Sequence, residues 1–428
     1  MRLNYKRTFF VGLAFMSICA FWQMYDNIIP LMLKNTFGLG ETVTGVLMAL
    51  DNVLALFLLP LFGSLSDRIN TPLGKRTPFI IAGTLAAVVA MSYLPMANKA
   101  ASLTLFLVFL GIVLVAMGSY RSPAVALMPD LTPKPLRSKA NAVINLMGAV
   151  GGVYTLIMIK LLVKEGTSYR EVFLSVSAIM VIAVILLVIT VREKKLVASV
   201  DLEAGAMHKP EEQEPYGGVD KGERMPREVR KSFILLLASI FLWFTAYNAV
   251  TTAYSRYVEQ VWRLEEGGFA DSLLVATIAA ILSYIPIGII ASIVGRKKTI
   301  LAGILLMTAS YLCGALFVEY SFWINVVFAF TGIGWAAINV NSYPMVVEMC
   351  KGSDIGKYTG LYYTFSMSAQ ILTPIASGAL LEHVSYRTLF PYAVVFSIAS
   401  LCTMLFVMHG DSRPMRKKDM VDNFDVPD

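Results

Sequence analysis

Three ionisable side chains lie inside otherwise apolar stretches of this 428-residue chain: Asp26, Asp51 and Arg121. A charge at the centre of hydrocarbon costs roughly 2.5–3.5 kcal/mol on insertion scales, so such residues are rare without a partner or a wet cavity. At 1.5 Å per helical residue, Asp26 and Asp51 fall about 10 and 13 Å below the same end of their stretches, and Arg121 falls about 20 Å below it. Two carboxylates at matched depth in a low dielectric resist simultaneous ionisation, so one can carry a proton while the other pairs with Arg121. Asn27 and Asn52 follow the two acids, and the same oxygens could also ligate sodium. The plainer alternative is a structural cluster facing a watery vestibule without titrating.

Aromatic and amide side chains recur near these charges: Trp22, Gln23 and Tyr25; Asn145; Trp243, Tyr247 and Asn248; Trp335, Asn339 and Asn341; Tyr362, Tyr363 and Gln370. Aromatic faces cover C–H surface while amides and carboxylates take hydroxyls, a combination that suits a glycoside better than a cation. The candidate binding residues are therefore Trp22, Gln23, Tyr25, Asp26, Arg121, Asn145, Asn248, Asn339, Tyr363 and Gln370, with Asp26 and Asp51 as candidate ion-coupling residues. Interfacial aromatic belts and interhelical amide bonds would produce a similar list in any bundle.

Other chemistries find little to build on. His208, His383 and His409 fall in loops or at helix ends, and Cys19, Cys313, Cys350 and Cys402 show no CxxC or Cys/His metal spacing. Neither a phosphate-binding loop nor a nucleophile with its base is apparent, so no enzyme, metal or cofactor is expected.

The elements that must position these residues are helices in a bilayer. Hydrophobic residues make up 57% of the chain and charged residues only 15%, against roughly 25% charged in a soluble domain. Twelve stretches reach the ~20 apolar residues that a span requires. They run over 9–33, 42–64, 77–97, 102–128, 140–163, 170–191, 233–258, 272–294, 299–318, 322–345, 357–381 and 388–408. The first has Arg2, Lys6 and Arg7 before it but continues to Leu33, so it reads as a retained span rather than a cleaved leader.

Most of the 36 basic residues fall on one face, in both termini and the even-numbered connections, including Arg68, Lys75, Arg76, Arg296, Lys297 and Lys298. The other face holds Lys34, Lys99, Lys164, Arg170, Arg256, Arg263 and Arg387, with Lys160 within a span. The positive-inside rule then puts both termini in the cytoplasm, and topology explains the net charge of +7 without nucleic acid. Compactness suggests a prokaryotic inner membrane and a monomer.

Residues 192–231 form the one long polar stretch, with Glu211, Glu212, Glu214, Pro210, Pro215, Gly217 and Gly218. They divide the chain into an N-terminal half, 1–191, a cytoplasmic linker, and a C-terminal half, 232–428. An internal repeat supports that division: Asp130 precedes Lys139 by nine residues, as Glu348 precedes Lys357, at a shared offset of 218. Asp130 and Glu348 are expected as paired gate contacts or as solvated acids at the span exits.

Between the second and third spans the chain reads GSLSDRINTPLGKRTPF, with Gly63, Asp67, Arg68, Gly74, Lys75, Arg76 and Pro78. Gly63 permits close helix approach, and Asp67 can sit near a neighbouring helix N-terminus and pair with a basic residue. This segment resembles the cytoplasmic signature of the major facilitator superfamily. The insertion Asn70–Leu73, with Pro123, Asp130 and Leu131 at the fourth exit, resembles the sucrose-type and glycoside-pentoside-hexuronide symporters. The resemblance implies an all-α membrane protein of twelve helices in two six-helix pseudo-repeats. It also implies sugar uptake coupled to a proton or sodium by alternating access; export of drugs or metabolites is the alternative. Two departures stand out. Val125 occupies the position where plant sucrose carriers have arginine, one turn after Arg121, and Ile293 and Val294 leave the second-half signature without an acid.

Overall fold

The computed structural model describes residues 4–132, 137–163, 169–197, 226–264, 267–349 and 355–411. Most of the expected linker, from 198 to 225, lies outside the described residues, as do the side chains of Lys139 and Lys357. Twelve long helices carry the chain: α1 (Tyr5–Asn35), α2 (Glu41–Arg68), α3 (Thr77–Lys99), α4 (Leu103–Asp130), α5 (Arg137–Leu162) and α6 (Arg170–Thr190), then α7 (Arg227–Val261), α8 (Ala270–Val294), α9 (Arg296–Leu316), α10 (Trp323–Glu348), α11 (Ile355–His383) and α12 (Leu389–Leu405). Each coincides with an expected span and extends it by a few residues at most ends, because backbone amides in lipid find partners only within a helix.

Local signals explain the boundaries. Asn4 accepts the Arg7 N–H at 3.0 Å and caps α1. Pro78 sits in the first turn of α3, where its missing N–H costs nothing. The expected linker loses both ends to structure: residues 193–197 are helical, and α7 begins at Arg227.

Among the described residues, eleven helices are long and apolar enough to cross a membrane. The exception is α11, whose Ser366, Gln370 and Thr373 dilute its apolar run. Polar side chains at that depth belong on a helix that faces protein or water rather than lipid.

The packing repeats with a period of six helices. In the first set α1 packs on α5 and α6, α3 on α4 and α6, and α2 on α4; in the second, α7 packs on α11 and α12, α9 on α10 and α12, and α8 on α10. The two sets meet chiefly along two edges, α2 against α11 and α5 against α8, and α1 also touches α7.

Small residues set the closest approaches. At Gly151 of α5 a side chain would run into the Met16 carbonyl of α1, so α5 can lie against α1 only through glycine. Gly151→Val should lower the unfolding midpoint in detergent, at a cost of about 1–3 kcal/mol from overpacking. Gly111, with open space around it, serves as the control, and Gly111→Ala should leave the midpoint unchanged.

Candidate functional site

A cavity of about 210 Å³ opens between the two sets of helices. Helix period places its lining residues on single faces. Trp22 and Asp26 come from α1; Met48, Asp51 and Asn52 from α2; Arg121 from α4; Asn248, Thr251 and Thr252 from α7; and Gln370 and Pro374 from α11. Within each helix these residues stand three or four apart, the spacing of neighbours on one face.

The two acids and Arg121 are thus brought together. Among the described residues no ion pair within 4.0 Å joins them; instead the Arg121 guanidinium lies over the Trp22 ring, 5.5 Å from its centroid. Asp51 accepts the Asn52 amide at 2.7 Å. The Trp22 Nε1 and Asn248 Nδ2 groups are buried without a hydrogen-bond partner. Such donors carry a desolvation cost that a ligand oxygen would relieve. The site therefore gathers carboxylates, a cation and two unpaired donors in one cavity, with no ion pair between either acid and Arg121 among the described residues.

Five of the expected binding residues line the cavity, Trp22, Asp26, Arg121, Asn248 and Gln370, and Asp51 of the ion-coupling pair joins them. Tyr25 does not; it is fully buried behind the wall, packed on Phe21 and Trp22. The Gln23 side chain approaches Gly152 in the α1–α5 contact. Asn145, Asn339 and Tyr363 are exposed and lie outside the cavity lining. Several of the other aromatics pair with each other, Tyr247 stacking on Trp335 at 3.8 Å with Phe244 at its edge. Sequence reasoning passed over Thr251 and Thr252, although their spacing from Asn248 puts all three on one face.

A second constellation sits on the basic face. Arg76 is buried and bonded to Asp67 at 2.5 Å, to Asp130 at 2.8 Å and to the Ser66 hydroxyl. The helix N-terminus expected for Asp67 is instead served by Glu193. Its carboxylate accepts the N–H groups of Lys75, Arg76 and Thr77 at 2.7–2.9 Å, where the α3 dipole favours an anion. Asp67 is held by Arg76, which leaves it no freedom to cap. Gly74 adopts φ +120°, and a side chain there would meet the Glu193 carboxyl. Arg68 and Lys75 point to the surface, and Gly63 leaves room for Ser122 of α4.

The second set of helices repeats this arrangement. Arg296 pairs with Glu348 at 2.5 Å, and Asp411 accepts the Lys297 N–H at 3.1 Å beside Gly295, with φ +105°. The second-half signature does lack an acid at the end of α8, and Arg296 pairs instead with Glu348 of α10, the counterpart of Asp130. Asp130 and Glu348 each pair within their own set rather than across the halves.

The opposite face differs. Arg256, counted from sequence among the charges of this face, is buried at the end of α7 and donates to Glu41 of α2 at 2.6 Å. Tyr386 donates to the other Glu41 oxygen at 2.6 Å, and Lys34 donates to Tyr386 at 2.6 Å. The Thr42 N–H bonds Glu382 of α11 at 2.7 Å, and Lys160 of α5 meets Asp271 of α8 at 2.5 Å. These contacts join the two sets of helices, whereas every ion pair found on the basic face among the described residues stays within one set.

The comparisons with known proteins agree with this geometry. The family model described as Major Facilitator Superfamily matches residues 11–283 and 262–423. The efflux pump bfoC of Aspergillus brasiliensis is 25% identical over 211 residues, covering 46% of this chain and 36% of that protein. The match thus spans about a third of the relative's length. Among solved structures, a D-xylose-proton symporter aligns with a TM-score of 0.69 at 14% identity, over 95% of this chain and 98% of that one. A POT family transporter in complex with 5-aminolevulinic acid gives 0.69 at 12%, over 94% and 95%. A bacterial homologue of the iron transporter ferroportin, in its inward-facing state, gives 0.66 at 12%, over 94% and 99%. Twelve membrane helices packed as a six-helix repeat, a polar cavity between the repeats and a family match over most of the length lead to one assignment: the chain belongs to the major facilitator superfamily.

Proposed function

We propose that this transporter carries a sugar or glycoside into the cytoplasm together with a proton, by alternating access. The observation that carries the reading is the juxtaposition of Asp26, Asp51 and Arg121 with Trp22, Asn248, Thr251, Thr252 and Gln370 in one cavity between the halves. Hydroxyl groups of a sugar both donate and accept, matching the amides, hydroxyls and carboxylates of the wall. The guanidinium over Trp22 is free to reach a carboxylate once that group releases its proton, so protonation and solute binding compete for one set of charges. With the basic face inside, both termini and the Arg76 and Arg296 clusters lie in the cytoplasm of a prokaryotic inner membrane. The linker between residue 197 and α7 then acts as a cytoplasmic tether between two halves that rock as a monomer about the site.

Export of a cationic compound is the second reading. It is favoured by the similarity to an efflux pump and by two acids against one guanidinium in the cavity. Sodium in place of the proton would use Asp51 and Asn52 as oxygen ligands.

Purified protein in liposomes should accumulate labelled sucrose, maltose or a related glycoside when an inward proton gradient is imposed. Asp51→Asn should abolish accumulation while leaving sugar counterflow measurable, since exchange needs no net proton movement. Accumulation driven only by sodium would move the coupling to that ion, and transport of no sugar at all would favour the exporter. Arg76→Gln should lower the maximal rate more than about tenfold with KM changed less than about twofold, the signature of a residue that acts on conformational steps rather than on binding. A rise in KM alone would place Arg76 in solute binding instead.

A further inference from the structure

The two edges where the halves meet on the opposite face are related by the repeat, yet they are built differently. At the α5–α8 edge the tie is Lys160 to Asp271, with side chains 52% and 34% exposed. A pair this exposed, at the ends of α5 and α8, is held less tightly than a buried one and contributes less. Beside the α2–α11 edge the tie is Glu41 of α2 to Arg256 of α7, which packs on α11, with side chains 3% and 4% exposed. Both Glu41 oxygens are occupied, one by Arg256 at 2.6 Å and the other by Tyr386 at 2.6 Å, with Lys34 3.5 Å away. Around this pair the backbones touch: side chains at Gly45 or Gly378 would collide with the Pro374 and Glu41 carbonyls. The Glu382 carboxylate closes the N-terminus of α2 through Thr42.

The same edge is wired to the cavity. Arg256 donates to the Thr252 carbonyl at 2.8 Å, and Thr252 itself lines the cavity. Pro374, one turn from Gly378 on α11, and Met48 and Asp51 on α2 line it as well. No side-chain bond of this kind ties Lys160 or Asp271 to a lining residue among those described.

From this asymmetry we infer that the seal of the opposite face is one-sided. The buried Glu41–Arg256 pair, with Tyr386, holds the closed state, and the Lys160–Asp271 edge follows without setting the balance. Removing one member of a buried pair leaves the other charge in a dry site, and the cheapest relief is to let water in by parting α2 from α7 and α11. The inference rests on alternating access and holds whatever the solute, so it survives a failure of the sugar reading.

The test uses the full chain in vesicles with Cys19, Cys313, Cys350 and Cys402 replaced by serine, and Thr252→Cys as a reporter of access from the opposite face. A membrane-impermeant maleimide applied from that side should label Thr252→Cys more than about tenfold faster in Glu41→Gln or Arg256→Gln, and within about twofold of the parent in Lys160→Met or Asp271→Asn. The double variant Glu41→Gln/Arg256→Gln should label no faster than either single, because the pair acts as a unit; it also carries no orphaned charge and keeps the test open if a single variant fails to insert. Equal acceleration by Lys160→Met, or no acceleration by any Glu41 or Arg256 variant, double included, would overturn the inference.

Discussion

A backbone amide in hydrocarbon has no water to bond, and a charge there has no solvent to spread its field. Those two costs shape everything else in this molecule. The first turns every apolar stretch into a helix, so the architecture is a bundle whatever the side chains do. The second requires each charge below the surface to find a partner, to face a wet cavity, or to gather at a helix end where a dipole compensates it.

The two faces of the bundle meet the second requirement in opposite ways. On the basic face, Arg76 collects Asp67 and Asp130, Glu193 caps α3, and Arg296, Glu348 and Asp411 repeat the pattern in the second set. Each cluster ties three or four chain segments of one set into a rigid block. On the opposite face the charges are spent between the sets, through Glu41, Arg256 and Lys34. Rigid blocks internally bonded at one end and mutually bonded at the other describe a molecule closed on one side, which is the condition alternating access requires of each end state.

Between the faces the requirement is met by a cavity rather than by ion pairs. Asp26, Asp51 and Arg121 share a cavity without pairing among themselves, and the Trp22 and Asn248 donors next to them have no partner. Unsatisfied groups at one depth are expensive in a folded protein and persist where a ligand completes them. The cavity draws on α1, α2 and α4 from one set and on α7 and α11 from the other, so any movement of one set against the other reshapes it.

The amino-acid sequence by itself determined the twelve helices, the face that carries the basic residues, and the depth of Asp26, Asp51 and Arg121, because all three follow from local apolar runs and helical rise. It also singled out Arg76 and Asp130 through a motif and a repeat. What only the tertiary structure decided were the partners. Glu193 reads as the first acid of a polar linker, and its target amides lie more than a hundred residues away; Arg256 reads as one more cation of the opposite face until α2 is laid against α7, bringing Glu41 across 215 residues. Gln23 follows Trp22 and Tyr25 precedes Asp26, yet both turn away from the cavity, since adjacent residues on a helix face different directions and only packing selects which one looks inward. Apolar runs are local and survive any arrangement of the helices, whereas a buried charge acquires its role from whichever helix is placed next to it.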